Sequence, residues 1–371
     1  MSLVGQKPEK RILIDAREFV PDRRTGIGRV LEGLSDAMAE SSSSWELVMA
    51  VFRLDVVPSR LRNKANVRFL LIPGFFLRSE IVLSRLSRRS FDLFISPYPK
   101  LPLWGINCPS VHIVHDVLDL THPLYRRRFK VLFDRYRLKN ALRRADITWY
   151  DSSWSMAETQ KHFRLCGRNP RVQHPGIDKA FQPQKQTDDA TILEGYGLKA
   201  GFVLALGNGL PHKNLGILLG IANRIQRPIV FAGVSDNNQQ YWESQHRGIH
   251  SKWITHVEEE HLPALIRGAF CLVQPSLVEG YGYPPLEAMA CGIPAVVSDI
   301  PVLVETTGNH ALKADPLNSK AWMDALGALE NASFYCDAAN KGLKWAEQLR
   351  GPQAWEGYVT DIQNLLTKGG V

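Results

Sequence analysis

Short apolar runs alternate with segments of helical periodicity along nearly the whole chain, and the alternation breaks once, near its middle. Arg11-Ile12-Leu13-Ile14-Asp15 reads as a strand. Thr25-Gly26-Ile27-Gly28-Arg29 then leads into a helix with Val30, Leu31, Leu34 and Met38 at helical spacing. Further strands are read at Trp45–Phe52, Val67–Ile72, Phe91–Ser96, Ser110–Asp116 and Asp146–Tyr150, with a long basic helix at Tyr125–Arg144. Pro, Gly and charge crowd Arg164–Pro183, which reads as a crossing between domains. The alternation restarts with strands at Gly201–Leu206, Pro228–Ala232, Trp253–His256, Cys271–Gln274 and Ala295–Ser298. Helices are read at Leu215–Ile225, at Glu260–Arg267 and from Ser319 onward, the last with apolar residues from Trp355 to Leu366 at helical spacing. Strands alternating with helices imply an α/β chain of doubly wound parallel sheets. At 371 residues it exceeds one ordinary core, so two similar domains are expected, 1–177 and 178–352. A final helix, 353–371, is expected to pack back on the first domain. Two such domains facing each other make a cleft suited to a small polar ligand.

Charge divides the halves. Residues 1–177 hold 30 Lys/Arg against 17 Asp/Glu, and residues 178–371 hold 15 against 20. The basic half is expected to face something anionic. No apolar run approaches the ~18 residues of a membrane span. The polar start, Met1–Arg11, is too short and too soon interrupted for a signal peptide. Five cysteines without C-x-x-C spacing read as reduced structural thiols, and the expected location is the cytoplasm.

Three places carry chemistry. Ser276–Glu287 is a glycine turn between a buried strand and a helix that carries Pro at its start and Gly292 past its end. A helix start attracts anions, and Glu279 in the turn and Glu287 in the first helical turn add acceptor carboxylates. Taken alone, such carboxylates could merely suit the helix dipole. The second place is Leu206–Asn214, a glycine loop after a strand with Lys213 just before a helix; Gly207 lets backbone approach a phosphate, and Lys213 offsets its charge. The third is His115-Asp116, at a strand end where ligands of such sheets gather.

The run "PSLVEGYGYPPLEAMACGIP" (275–294) resembles the signature of the retaining glycosyltransferases of family 4, which have the GT-B fold of two Rossmann-like domains. "TGIGR" (25–29), "FDLFISPYPKLP" (91–102), "HD" (115–116), "PGID" (175–178), "LGNGLPHKN" (206–214) and "ETTGNHALKADP" (305–316) follow in that family's order. The resemblance implies a nucleotide-sugar in the C-terminal domain and an acceptor in the N-terminal one. It assigns Glu287 to the ribose hydroxyls, Glu279 to hydroxyls of the donor sugar, and the backbone of Gly280, Tyr281 and Gly282 to sugar or phosphate. It assigns Lys213 to the departing diphosphate, His115 to the face of the donor sugar, Gly26 and Gly28 to the phosphates, and the backbone around Val257 to the base. Glu279, His115 and Lys213 are the expected catalytic group.

This sequence departs from the family where His212 replaces the usual Arg, so Lys213 carries more of the load or a cation such as Arg17 or Arg29 compensates. Tyr281 stands where Phe is usual and Tyr283 where Leu is usual, which bears on sugar preference. No D-x-D spacing occurs, so no metal is expected, and the nucleotide-sugar counts as a substrate, so no cofactor is expected. The expected activity is metal-independent hexosyl transfer from a UDP- or GDP-sugar to a glycan, lipid-linked or a polysaccharide precursor. A sugar-nucleotide epimerase is the enzymatic alternative. A basic nucleic-acid-binding protein is the non-enzymatic one, against which the confinement of the charge to one half speaks. The basic segment Tyr125–Arg144, with Phe75–Arg78 and Arg85–Arg89, reads either as a solvated helix face or as a peripheral contact with an anionic membrane.

Overall fold

The computed structural model describes residues 8–20, 25–88, 91–121, 128–246 and 251–368. The polar start up to residue 7, Arg89, and Tyr125–Arg127 of the basic segment lie outside the described residues. The chain forms two compact units: Met1–Gly176 together with Pro352–Val371, and Ile177–Gly351.

The first unit is built on β1 (Lys10–Asp15), β2 (Trp45–Val51), β3 (Val67–Leu71), β4 (Leu93–Ser96), β5 (Ser110–Val114), β6 (Ile147–Tyr150) and β7 (Pro170–Val172). Their order is β3-β2-β1-β4-β5-β6-β7, and every pairing is parallel. The second unit carries β8 (Phe202–Leu206), β9 (Ile229–Ala232), β10 (Lys252–Ile254), β11 (Ala269–Gln274), β12 (Ala295–Ser298) and β13 (Leu312–Ala314). They run β10-β9-β8-β11-β12-β13, again all parallel. Strands β4, β5, β6, β9 and β12 are buried at every residue, as parallel strands covered on both faces must be. In both sheets the winding reverses beside the first strand, between β1 and β4 and between β8 and β11. The crevice that collects ligands lies outside the carboxyl ends of the strands at such a point.

Two expectations change in detail. The segment read as a crossing contains β7, an edge strand whose first residue is Pro170, a position that needs no ladder donor. The helix read over Leu215–Ile225 stops at Leu219, and a 3-10 turn, Ala222–Arg224, follows; Gly216 and Gly220 weaken it from within. The basic helix is described over Arg128–Arg144. At the chain's end, Glu356–Lys368 packs into the first unit. The Tyr358 ring meets Trp149 edge-on at 4.8 Å, its hydroxyl donates to the Gln173 carbonyl, and the Trp149 indole donates to Asp361 at 2.9 Å.

Candidate active site

In the second unit, β8 and β11 release two loops side by side. The β8 loop runs Gly207-Asn208-Gly209-Leu210 into the turn Pro211–Lys213, and then Asn214 takes a left-handed conformation, φ 54°. The Asn214 amide donates to the carbonyls of Pro275, at 3.1 Å, and Pro316, at 2.8 Å. Leu277 N–H donates to the His212 carbonyl at 2.8 Å, and the Trp242 indole donates to the Gly209 carbonyl at 2.7 Å. The loop is thus fastened from several sides, which fixes where Lys213 begins. Gly207 lies along its stem: a Cβ there would sit 3.6 Å from the Lys213 Cε.

The Lys213 ammonium donates to Glu279 Oε1 at 2.6 Å. Gln274 and Ser276 donate to the same oxygen, each at 2.5 Å, while Oε2 receives no hydrogen bond among the described residues. Glu279 is 8% exposed. Burial alone would raise its pKa, but the Lys213 charge and hydrogen bond, the Ser276 hydroxyl and the nearby His212 outweigh it and hold the carboxyl below its usual value. Glu279 is therefore an anchored carboxylate with one oxygen saturated and the other left to accept from a ligand hydroxyl. The expected residues Glu279 and Lys213 form one unit rather than two separate contacts.

The turn that follows depends on Gly282. Its φ is +95°, and a Cβ there would lie 2.5 Å from the Leu303 Cδ2, so a side chain meets both strain and a clash. Tyr281 is buried and packs its ring 5.1 Å from that of Tyr283. The helix spans Tyr283–Ala290, starting before the proline pair. Two corrections follow. Glu287 is the helix's fifth residue and lies in its second turn, where it is buried. Pro284 and Pro285 have no N–H, so the first turn lacks two of the donors that would make it an anion site. Val257 lies at the carboxyl end of the edge strand β10; beside it, Glu258 N–H donates to the Tyr196 hydroxyl at 3.2 Å, and that hydroxyl meets His261 Nδ1 at 3.0 Å.

The first unit fills its own reversal point differently. Arg17 donates through Nε and one terminal nitrogen to Asp15, at 2.7 and 2.6 Å; it also donates to Glu80 and Ser79, each at 3.0 Å. Arg17 is occupied internally, which removes it as the cation compensating for His212. Glu80, fully buried, also accepts from Arg137 at 2.7 Å and from the Leu103 N–H at 3.0 Å. At the start of the helix Gly26–Ser41, Gly28 N–H caps onto Thr25 Oγ1 at 3.0 Å, so its donor serves the cap. Gly26 has no described atom within 4 Å of a Cβ position.

His115, just past β5, directs Nδ1 at Asp151 Oδ2, 2.6 Å away, and Nε2 at the Pro97 carbonyl, 3.0 Å away. A carbonyl and a carboxylate both accept, so each nitrogen carries a proton. Burial lowers the pKa, but the Asp151 charge, its hydrogen bond and the Pro97 carbonyl outweigh this and raise it. His115 ties the ends of β4 and β6, and its raised pKa favours the imidazolium. His112, on the same strand and fully buried, is pushed down to about 3 and stays neutral against Thr148. Asp151, Gln274 and Asn214 are neighbours of the expected site residues to which sequence reasoning gave no role. Asp151 had a usable signal, a carboxylate directly after the strand Ile147–Tyr150.

Residues 194–344 match the family model described as glycosyl transferases group 1. The O-antigen chain mannosyltransferase B of Escherichia coli is 29% identical over 271 residues, 69% of each chain. The O-antigen chain mannosyltransferase RfbU of Salmonella typhimurium is 33% identical over 223 residues, 58% of this chain and 60% of that protein. Among solved structures, sucrose-phosphate synthase from Thermosynechococcus elongatus is similar with a TM-score of 0.75 at 17% identity, covering 97% of this chain and 98% of that one. Anabaena Alr3699/HepE in complex with UDP-glucose is similar with a TM-score of 0.74 at 15% identity, covering 96% and 99%. The two units have the GT-B fold of these proteins.

Proposed function

We propose, from the match of residues 194–344 to the glycosyl transferases group 1 model and the similarity to O-antigen chain mannosyltransferases, that this chain moves a hexosyl group from a UDP- or GDP-sugar to a hydroxyl of a lipid-linked or polysaccharide-precursor glycan. Transfer proceeds with retention and without a metal ion, and mannose is the first sugar to try. The observation that carries this reading is Lys213 held 2.6 Å from a buried Glu279 between the loops of β8 and β11. Two similar proteins are named O-antigen chain mannosyltransferases, and a structure of similar fold holds UDP-glucose, which supports the donor class.

The geometry suits charge that appears on a leaving diphosphate. Gln274 and Ser276 still satisfy Glu279 Oε1 when Lys213 turns away, so the ammonium can move to a phosphate without orphaning the carboxylate. A cation placed where charge develops lowers the barrier by roughly 2.7–4 kcal/mol. Glu279 Oε2 accepts from a hydroxyl of the transferred sugar, and Glu287 serves the ribose. Because Lys213, Gln274 and Ser276 hold Glu279 through Oε1, it acts as a hydroxyl acceptor rather than as a nucleophile. The departing phosphate then helps to deprotonate the acceptor on the same face of the sugar.

A thermal-shift panel with UDP, GDP, ADP and their sugars tests the donor class. Stabilisation by one nucleoside diphosphate and its mannosyl or glucosyl ester is expected, and no response to any of them would sink the proposal. Anomeric coupling constants of the product, read by NMR, test retention, and turnover undiminished by EDTA tests metal independence.

A further inference from the structure

Along the helix Arg128–Arg144, Phe129, Leu132, Phe133 and Tyr136 stand at i, i+3, i+4 and i+7, the spacing of a stripe that normally faces a core. Here the stripe faces solvent: Phe129 is 90% exposed, Leu132 66% and Tyr136 64%. The helix buries a different face, through Leu138, Ala141 and Leu142. The stripe continues onto the helix Phe76–Ser87, whose Phe76 ring lies 6.3 Å from that of Phe133, edge to face. Phe75, 73% exposed, and Leu77, 58% exposed, extend it. A contiguous apolar surface of this kind marks an interaction site.

Charge selects the partner. The two helices carry nine basic residues, two on the first and seven on the second, against two acidic ones, Glu80 and Asp134. Glu80 is buried against Arg17 and Arg137 and offers nothing to the surface. Arg78 and Lys130 flank the apolar residues, exposed and without an ion-pair partner among the described residues. A twofold contact between copies would set this basic rim against itself. An anionic lipid surface meets both halves of the pattern: acyl chains take the aromatic centre and headgroups take the basic rim.

We propose that Phe75–Leu77 and the stripe Phe129–Tyr136 form a wedge that inserts into the interface of an anionic bilayer. The wedge has a rigid base. Arg137 lies beneath it, 5.5 Å from the centre of the Phe76 ring and 5.8 Å from that of Phe133; it binds Glu80, which binds Arg17, which binds Asp15 at the end of β1. Docking therefore holds the reversal point of the first unit beside the lipid. The inference rests on this surface and stands apart from the proposed reaction.

Flotation of the full chain with phosphatidylglycerol-containing and phosphatidylcholine vesicles tests it. The unaltered chain should float with the anionic vesicles only, and rising salt should weaken the binding. Phe129→Ser with Leu132→Ser should reduce partitioning at least tenfold. Arg78→Glu and Lys130→Glu should each reduce it about fivefold or more, the equivalent of about 1 kcal/mol for each basic charge near the surface. All of these side chains are exposed, so melting temperature and the response to nucleotide should be unchanged, which separates loss of docking from loss of fold or of donor binding. Failure of the unaltered chain to float would overturn the proposal. So would flotation indifferent to these substitutions, or a dimer in sedimentation that Phe129→Ser dissolves while flotation persists.

Discussion

The two sheets share a strand order through six strands, and each reverses its winding beside its first strand, yet the two reversal points hold opposite kinds of chemistry. Between β1 and β4, Asp15, Arg17, Glu80 and Arg137 form a closed network whose charges answer one another out of water. Between β8 and β11, glycine loops leave one ion pair, and its lysine side chain keeps 17% exposure. A buried pair that loses one member leaves an uncompensated charge. Glu279 escapes that penalty because Gln274 and Ser276 hold the same oxygen. The first arrangement is built to persist and the second to exchange a partner. One backbone plan thus supplies both a frame and a binding point, and side chains decide which is which.

The comparison can be broken at its strongest point first. Glu80→Ala leaves two buried arginines without their shared carboxylate and should destabilise the protein by about 3–5 kcal/mol, read by chemical denaturation. If stability falls by no more than a surface substitution would cause, the network is not the frame. Glu279→Gln should lower kcat by about 10²–10³ with the fold kept by circular dichroism. Near-normal turnover would end its assigned role. Lys213→Met should cost a similar factor and should also change the response to acid. With its folded pKa lowered by Lys213, Glu279 contributes stability that is present above the unfolded value and lost as pH falls through the folded one. In the variant the largest lowering cause is gone while burial and the Ser276 hydroxyl remain, so that acid-side contribution shrinks in the pH–stability profile.

A smaller change should follow Asp151→Asn. His115 has a raised folded pKa, so its contribution is complete below the ordinary value of 6.5 and lost as pH rises through the higher folded value. Without the Asp151 charge, burial should draw the imidazole's pKa downward, visible in an NMR titration of the ring, at a cost of roughly 1–3 kcal/mol below neutrality. The smallest effect belongs to His212→Arg. A guanidinium is always charged and grips phosphate in a fork, so KM for the nucleotide-sugar should fall modestly while kcat holds.

The parallel strands and the glycine-loop positions were legible in the linear order, because a fully buried strand needs an unbroken apolar run and a tight turn needs glycine whatever surrounds it. Ser276–Glu287 and Lys213 could be singled out for the same local reasons, and the run 275–294 by its resemblance to a family signature. Contacts between distant segments were not legible. The place of Asp151 directly after a strand marks it as a candidate but not as the partner of His115, 36 residues away, and nothing near Asn214 says that it ties two other loops together. Arg17 looked available for phosphate until the fold set it against Asp15 and Glu80. Pro284 and Pro285 are helix punctuation in the linear order, and the same residues remove the donors expected there.

By itself, then, the sequence determined the architecture and the residue types at the second reversal point, since propensity, hydrophobic period and turn chemistry act over a few neighbouring residues. Only the tertiary structure decided which charges are satisfied, which remain for a ligand, and which apolar stripe has no core to meet. Those are properties of groups brought together from far apart in the chain, and burial and partner geometry set their free energies.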